Sequence, residues 1–368
     1  MNLARTFSTL GWGIFCACSW TWCIGMYLPA LMLERFGWPG LLIFAIPNIL
    51  GCAAFGYILK NRERSLALVL KHRKAMKCFS LVTIAYHVFF IGFASLYLLP
   101  PDLASTWIPL VACPALILIG WALSVLPFRV MPVFALLVYA ASLFAFARHG
   151  IDPIRDIIGE GSWPSNELVW LAPAFTFGFL LCPYLDPTFH RALQQSDNRH
   201  AFGIFGITFT VMILFTCAYW TIAQTKLTWI IGAHLLTQSI FTVAVHMKEV
   251  RALSIDCCQW RTSVTMLAPL IVLPLAFAGV LFDNPFQGLD DIYIRFLGFY
   301  GLIFPAYVLL FMGPLRTMSL TRSNLVTYGM VVIIGSACYE AGYLHHLPWM
   351  VIIPLAVLLG LALRPGRS

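Results

Sequence analysis

The chain has 368 residues, 60% of them hydrophobic and only 10% charged, with a formal net charge of +8 and a mean hydropathy of +0.85. There is too little polar surface here to cover a soluble domain of this size, so the composition points to an all-α polytopic membrane protein. The basic residues fall in short gaps between oily segments, which assigns the positive charge to membrane topology and not to nucleic-acid binding.

A spanning helix needs about 20 mostly apolar residues. Twelve segments meet that length approximately: 10–33, 38–59, 78–99, 106–126, 130–147, 168–186, 201–223, 228–247, 262–282, 292–313, 324–340 and 347–363. Met1 to Thr9 carry one positive charge and no small-residue cleavage site follows, so the first segment is expected to be a retained helix. Its middle reads SWTWCIG (19–25), with two hydroxyls, two tryptophans and a glycine, followed by Pro29. Ser and Thr bond freed carbonyls and Gly permits non-helical angles, so an interruption is expected there. In the second segment Asn48 beside Pro47 is expected to rescue a kink. The basic stretch KNRERSLALVLKHRKAMK (60–77) reads as a loop, and the third segment carries Tyr86 and His87.

The long gap RHGIDPIRDIIGEGSWPSNEL (147–167) has room for a short interfacial helix. The sixth segment then ends in LCPYLDPTFHR (181–191), where Pro183 and Pro187 bracket Tyr-Leu-Asp. Proline removes an amide donor and clashes with the preceding turn, so a second interruption is expected. Asp186 has two readings there. It is a helix cap, with Pro187 opening a new helix, and it is an ionisable group at membrane depth, which usually marks a pathway. The eighth segment places Ser239 and Thr242 three apart, beside a stripe of His234, Gln238, Thr242 and His246 at i, i+4. Such a stripe suits either a cavity wall or plain interhelical hydrogen bonding. Cys257 and Cys258 fall in a loop and form neither a metal site nor an easy disulfide; the other cysteines read as small buried hydrophobes. Asp291 and Arg295, at i, i+4, are expected to pair.

With the N-terminus inside, every Lys and Arg except Arg35, Arg148, Arg155, Lys226 and Arg295 falls in a cytoplasmic gap. The alternation runs the whole length of the chain, and a missed helix would invert it downstream. Both termini are therefore expected to be cytoplasmic in a cell (inner) membrane protein. No phosphate loop, H-E-x-x-H or G-x-S-x-G is present, so neither an enzyme nor an ATP-driven pump is expected.

The two expected interruptions lie in segments one and six, the first members of two blocks of five. Five being odd, the second block enters the membrane from the opposite side, and paired interruptions of this kind point to a transporter's central site. The organisation expected is a first five-helix repeat over 1–148, an outer loop over 149–166, a second inverted repeat over 167–315, and two trailing helices with a short tail over 316–368.

This arrangement resembles the LeuT-type fold of the amino acid–polyamine–organocation superfamily, and is distantly similar to its sodium:solute symporter family. Ile24-Gly25-Met26 follows the first interruption, and DPTFHRALQQS (186–196) resembles the polar segment after the family's broken sixth core helix, which often ends Gln-Arg-x-Leu-Ala. His190 stands here in place of the glutamine, and the extra helix that often precedes the family's core is absent. The resemblance implies a substrate site built from Ser19, Trp20, Thr21, Trp22, Gly25, Tyr86, Cys182, Tyr184 and Asp186. It also implies a Na+ site at Ser239 and Thr242, although no carboxylate accompanies those hydroxyls. Na+ aside, no cofactor is expected.

Two functions follow. The first is a secondary active transporter of a small polar organic solute, coupled to Na+ or H+, working by alternating access around segments one and six. The alternative is a non-transporting subunit or sensor of the same fold that binds a protein partner or ligand. A haem carrier using His87, His234 or His246 has no facing pair in the spacing to support it. The partners expected are a small-molecule solute, the bilayer and either a protein partner or a homodimer, with no nucleic acid.

Overall fold

Without water to satisfy backbone groups, apolar runs must close their own hydrogen bonds, and helices do this within one segment. The structure, a computed structural model, describes residues 3–97, 107–149, 161–162, 164–196, 198–223, 229–281, 288–313 and 318–363, and among these there is no strand. Among the described residues nine helices are long and apolar enough to cross a membrane, or ten if the pair Leu168–Tyr184 and Pro187–Ser196 forms one broken span. The interfacial helix expected in the gap 147–167 falls largely on residues outside the described ones.

In chain order the helices are α1 (Leu3–Trp20), α2 (Leu28–Leu59), α3 (Arg62–Tyr97), α4 (Trp107–Ser124), α5 (Met131–His149), α6 (Leu168–Leu181) and α7 (Pro187–Ser196). After these come α8 (Ala201–Ala223), α9 (Trp229–Ala252), α10 (Cys257–Phe277), α11 (Leu289–Gly298), α12 (Phe304–Tyr307), α13 (Arg322–Leu344) and α14 (Ile352–Ala362). Two π-helical turns, Phe299–Ile303 and Val308–Met312, flank α12.

Several boundaries differ from the sequence expectation. The segment 10–33 is not one helix: α1 stops at Trp20, and Leu28 begins a helix that runs on to Leu59. The only non-helical residue inside α2 is Gly37, whose φ of 65° suits a residue without a Cβ. The basic stretch 60–77 is no loop either, since α3 begins at Arg62. Ser65, His72, Met76, Phe79 and Ser80 are buried at helical spacing, so one face of that basic stretch is packed. Cys257 and Cys258 open α10, capped by Asp256, whose side chain accepts the Gln259 amide at 2.7 Å.

The helices form two compact units. The first takes residues 1–31, 53–159 and 186–289. Within it α3 is the most enclosed spanning helix, with 89% of its apolar window buried, and it packs on α4, α7, α9 and α10. There α1 lies against α5, α7, α8 and α9. The α1–α8 contact depends on Gly13, because a Cβ there would stand 2.7 Å from both the Ala201 carbonyl and Ile204. The second unit takes residues 32–52, 160–185 and 290–368. Within it α6 packs on the π turn 299–303 and α13 packs on α14. Arg295 there is held by Glu340 of α13 at 2.6 Å, not by Asp291 one turn away.

Candidate functional site

Where α1 stops, the chain turns through residues 21–27 before α2 begins. Thr21 closes the last turn with both its amide and its hydroxyl, each 2.8 Å from the Ala17 carbonyl. The chain then makes two bonds of its own, Met26 N–H to Trp22 O at 2.7 Å and Leu28 N–H to Ile24 O at 2.9 Å. Two backbone groups freed by the turn are satisfied from neighbouring helices. The Cys23 amide donates to Nε2 of His87 on α3 at 3.2 Å, and the Gly25 carbonyl accepts from the Thr216 hydroxyl on α8 at 2.7 Å. His87 Nδ1 meets the Thr83 carbonyl at 2.7 Å, so the ring is the tautomer that donates from Nδ1 and accepts at Nε2. Unwound backbone at membrane depth is tolerable only with such partners.

The second interruption follows α6. A 3-10 turn, Cys182–Tyr184, leads to Leu185, and α7 starts at Pro187. Pro183 and Pro187 offer no amide hydrogen, and two such gaps four residues apart disfavour a continuous helix through 182–187. Asp186 caps α7, its Oδ1 accepting the Thr188 amide at 2.7 Å. It is also fully buried, and its Oδ2 has no hydrogen-bond partner. The cap reading and the buried-carboxylate reading are both present in one side chain.

In the first unit the start of α7 meets the end of α1. The Ser19 and Thr188 hydroxyls are 3.1 Å apart, and the Trp20 and Phe189 ring centroids are 5.0 Å apart. Trp22 continues the aromatic cluster, 4.2 Å from Trp20 and 5.3 Å from Phe79. Ser19, Trp20, Thr21, Trp22 and Asp186 are all buried there, and Tyr86 is buried on α3. Gly25 enters the site through its carbonyl. Cys182 and Tyr184 belong to the second unit, where the Cys182 thiol donates to the Tyr300 carbonyl at 3.1 Å.

Helix α7 is held by charged and polar partners that its sequence did not single out. Arg191 donates through Nε and Nη2 to the two carboxylate oxygens of Glu249 on α9, both at 2.9 Å. The same guanidinium lies 4.1 Å over the Phe128 ring. Lys248 approaches that ring at 4.4 Å and donates to the carbonyls of Ser124, at 3.2 Å, and Leu126. Ser65 of α3 meets His190 Nδ1 and accepts from Gln194, each at 2.9 Å. Glu249 was visible in the sequence as an acid at the end of an oily segment, but its partner lies 58 residues away.

Every member of the α9 stripe is buried. His234 and Gln238 both reach Ser142 of α5, at 2.9 and 3.1 Å, and His246 reaches Ser80 of α3 at 3.1 Å. The Thr242 hydroxyl points to the Cys18 carbonyl of α1 at 3.4 Å, while Ser239 Oγ and Gln238 Oε1 are buried without a partner. Thr242 therefore stands at the end of α1, with two unsatisfied oxygens close by in sequence. Among the described residues, no group of three His, Cys, Asp or Glu side chains is arranged to hold a metal ion.

No family model matches the chain, and no curated protein matches it in sequence. Among solved structures, a manganese transporter of Eremococcus coleocola, determined with an aromatic bis-isothiourea substituted compound, shares the fold. The match has a TM-score of 0.54 at 14% identity and covers 99% of this chain and 93% of that one. The chain thus shares the fold of that protein.

Proposed function

We propose that the protein is a secondary active transporter that carries a small polar solute by alternating access around the turns at 21–27 and 182–186. The observation that carries this reading is Asp186: a fully buried carboxylate, one oxygen unpartnered, at the start of a helix that meets the broken end of α1. A buried ionisable group of this kind is expensive inside a membrane and is retained where a solute or ion must be recognised. The shared architecture with a manganese transporter supports the same reading.

In this proposal twelve spans form a five-plus-five inverted repeat with two trailing helices, and both termini lie in the cytoplasm of a cell membrane. In that repeat α1 and the α6–α7 pair would be the equivalent broken members. Na+ or H+ coupling belongs to the same proposal, with Thr242 and Ser239 as the hydroxyls for a sodium ion. Such an ion takes carbonyl and hydroxyl oxygens.

The test needs no knowledge of the solute. Cys16, Cys18 and Cys23 surround the first turn and are buried, whereas Cys78, Cys257 and Cys258 are exposed and are replaced by serine. Thiol labelling by an impermeant maleimide is then followed by peptide mapping in right-side-out and in inverted vesicles. A protein that alternates shows labelling of the buried group from both sides. A static subunit shows labelling from neither side or from one only, and that result rejects the proposal.

A further inference from the structure

Four helices of the first unit, α3, α4, α9 and α10, leave an apolar cavity of about 330 Å³ between them. Its lining includes Leu81, Trp121, Val250, Trp260, Val264 and Leu267. Close-packed interiors hold few voids larger than a water molecule, and an apolar void of this size stays dry. The walls reach the surface of the protein, since Trp121 on α4 and Val264 on α10 are exposed. Helix α10 is a candidate span with only 17% of its apolar window buried, so hydrocarbon is what lies outside. A methylene is about as large as a water molecule, whose share of liquid volume is about 30 Å³, so the cavity takes about ten of them. That is a stretch of one acyl chain.

One end of the cavity is basic. On α3, Lys77 stands one helical turn before Leu81, and on α9 Arg251 follows Val250. The Arg251 guanidinium lies 5.3 Å over the ring of Trp260, near the start of α10. Lys77 lies within the fields of Arg73, Lys74 and Asp256, which brings the first turn of α3's apolar part beside that same start. Lys248 donates to the Ser124 carbonyl, which brings the end of α4, and with it Trp121, to the same side. Tryptophan favours the headgroup level of a bilayer, so Trp121 and Trp260 suit the mouth of a lipid site.

Little within the protein offsets these cations. Asp256 Oδ1 is taken by the Gln259 amide at 2.7 Å, and Glu249 is committed to Arg191. Among the described residues Lys77, Arg251 and Arg261 form no ion pair. Such an end attracts a phosphate, whereas the ammonium of a zwitterionic headgroup meets charges of its own sign.

We propose that the cavity holds one acyl chain of an anionic phospholipid, with its phosphate against Lys77 and Arg251. The lipid completes the packing that α3, α4, α9 and α10 leave open between them.

The experiment is native mass spectrometry of the purified full chain in a non-ionic detergent, with thermal unfolding alongside. Phosphatidylglycerol, phosphatidylcholine of the same chain length, and glycerol phosphate are titrated at matched ionic strength. The expected result is one phosphatidylglycerol retained at a concentration about tenfold below that needed for phosphatidylcholine, together with a raised unfolding midpoint. Glycerol phosphate, which carries the charge without the chain, is expected to leave the midpoint unchanged. Lys77→Gln with Arg251→Gln is expected to bring the two lipids to equal affinity. Val264→Trp, which fills the cavity from an exposed position, is expected to lose both. Should Val264→Trp fail to fold, the double charge change, confined to half-buried side chains, reads the same site. The proposal is overturned if the wild type holds both lipids alike, if glycerol phosphate raises the midpoint as the lipid does, or if the folded variants bind as the wild type does.

Discussion

At the scale of single residues, the first turn stands on two side chains that no nearby sequence pattern announces. His87 accepts the Cys23 amide and Thr216 donates to the Gly25 carbonyl. Removing either leaves a buried backbone group unsatisfied, which costs about 1–3 kcal/mol. Thr216→Val, nearly the same shape, is therefore expected to lower the unfolding midpoint in detergent, while His87→Gln, which keeps an acceptor, is expected to lose less than His87→Leu. The Arg191–Glu249 pair carries a second prediction of the same kind. Glu249→Ala strands a half-buried guanidinium and is expected to cost up to about 3 kcal/mol, whereas the joint change Arg191→Met with Glu249→Leu costs less than that single change. Chemical unfolding of the two variants side by side measures the difference; equal losses would mean the pair is solvated. Asp186 was legible in the sequence because a carboxylate between two prolines is rare in an oily chain. The contacts of His87, Thr216 and Glu249 were not, because their partners are 64, 191 and 58 residues away.

At the scale of elements, the chemistry of proline and glycine was readable and the reach of each helix was not. Pro183 and Pro187, four residues apart, withdraw two amides where α6 gives way to α7. Around Ser19–Gly25 the sequence signalled an interruption, but residues from Leu28 on continue into the next helix because Gly37 bends without ending it. The stretch 60–77 reads as a loop when its charges are counted. It folds as helix because its few buried positions repeat at helical spacing and dock α7 through Ser65. Small residues set the contact distances between elements. Gly13→Leu is expected to abolish the folded peak in detergent size-exclusion, since its side chain meets the Ala201 backbone and Ile204 on α8. Gly360→Leu, where a Cβ meets nothing within 4 Å, is expected to elute as the wild type does.

At the scale of the whole molecule, hydropathy and charge asymmetry established a many-spanning helical protein, and the solved transporter of similar architecture agrees with that class. The two compact units were not legible. Each is assembled from three separated stretches of chain, and of the five divisions two fall inside α2 and one at the α6–α7 break, where no composition change marks them. Membrane spans follow from local hydrophobicity, whereas grouping follows from contacts between distant helices. The central claim is that the broken end of α1 and the start of α7 meet beside Asp186, and a cross-link tests it most directly. Ser19 and Thr188 have hydroxyls 3.1 Å apart, so cysteines at both positions come close to disulfide geometry. In membranes treated with a mild oxidant, Ser19→Cys with Thr188→Cys is predicted to form an intramolecular disulfide that peptide mapping finds between those two residues. Two free thiols at those positions, in a protein that still folds, would contradict the account.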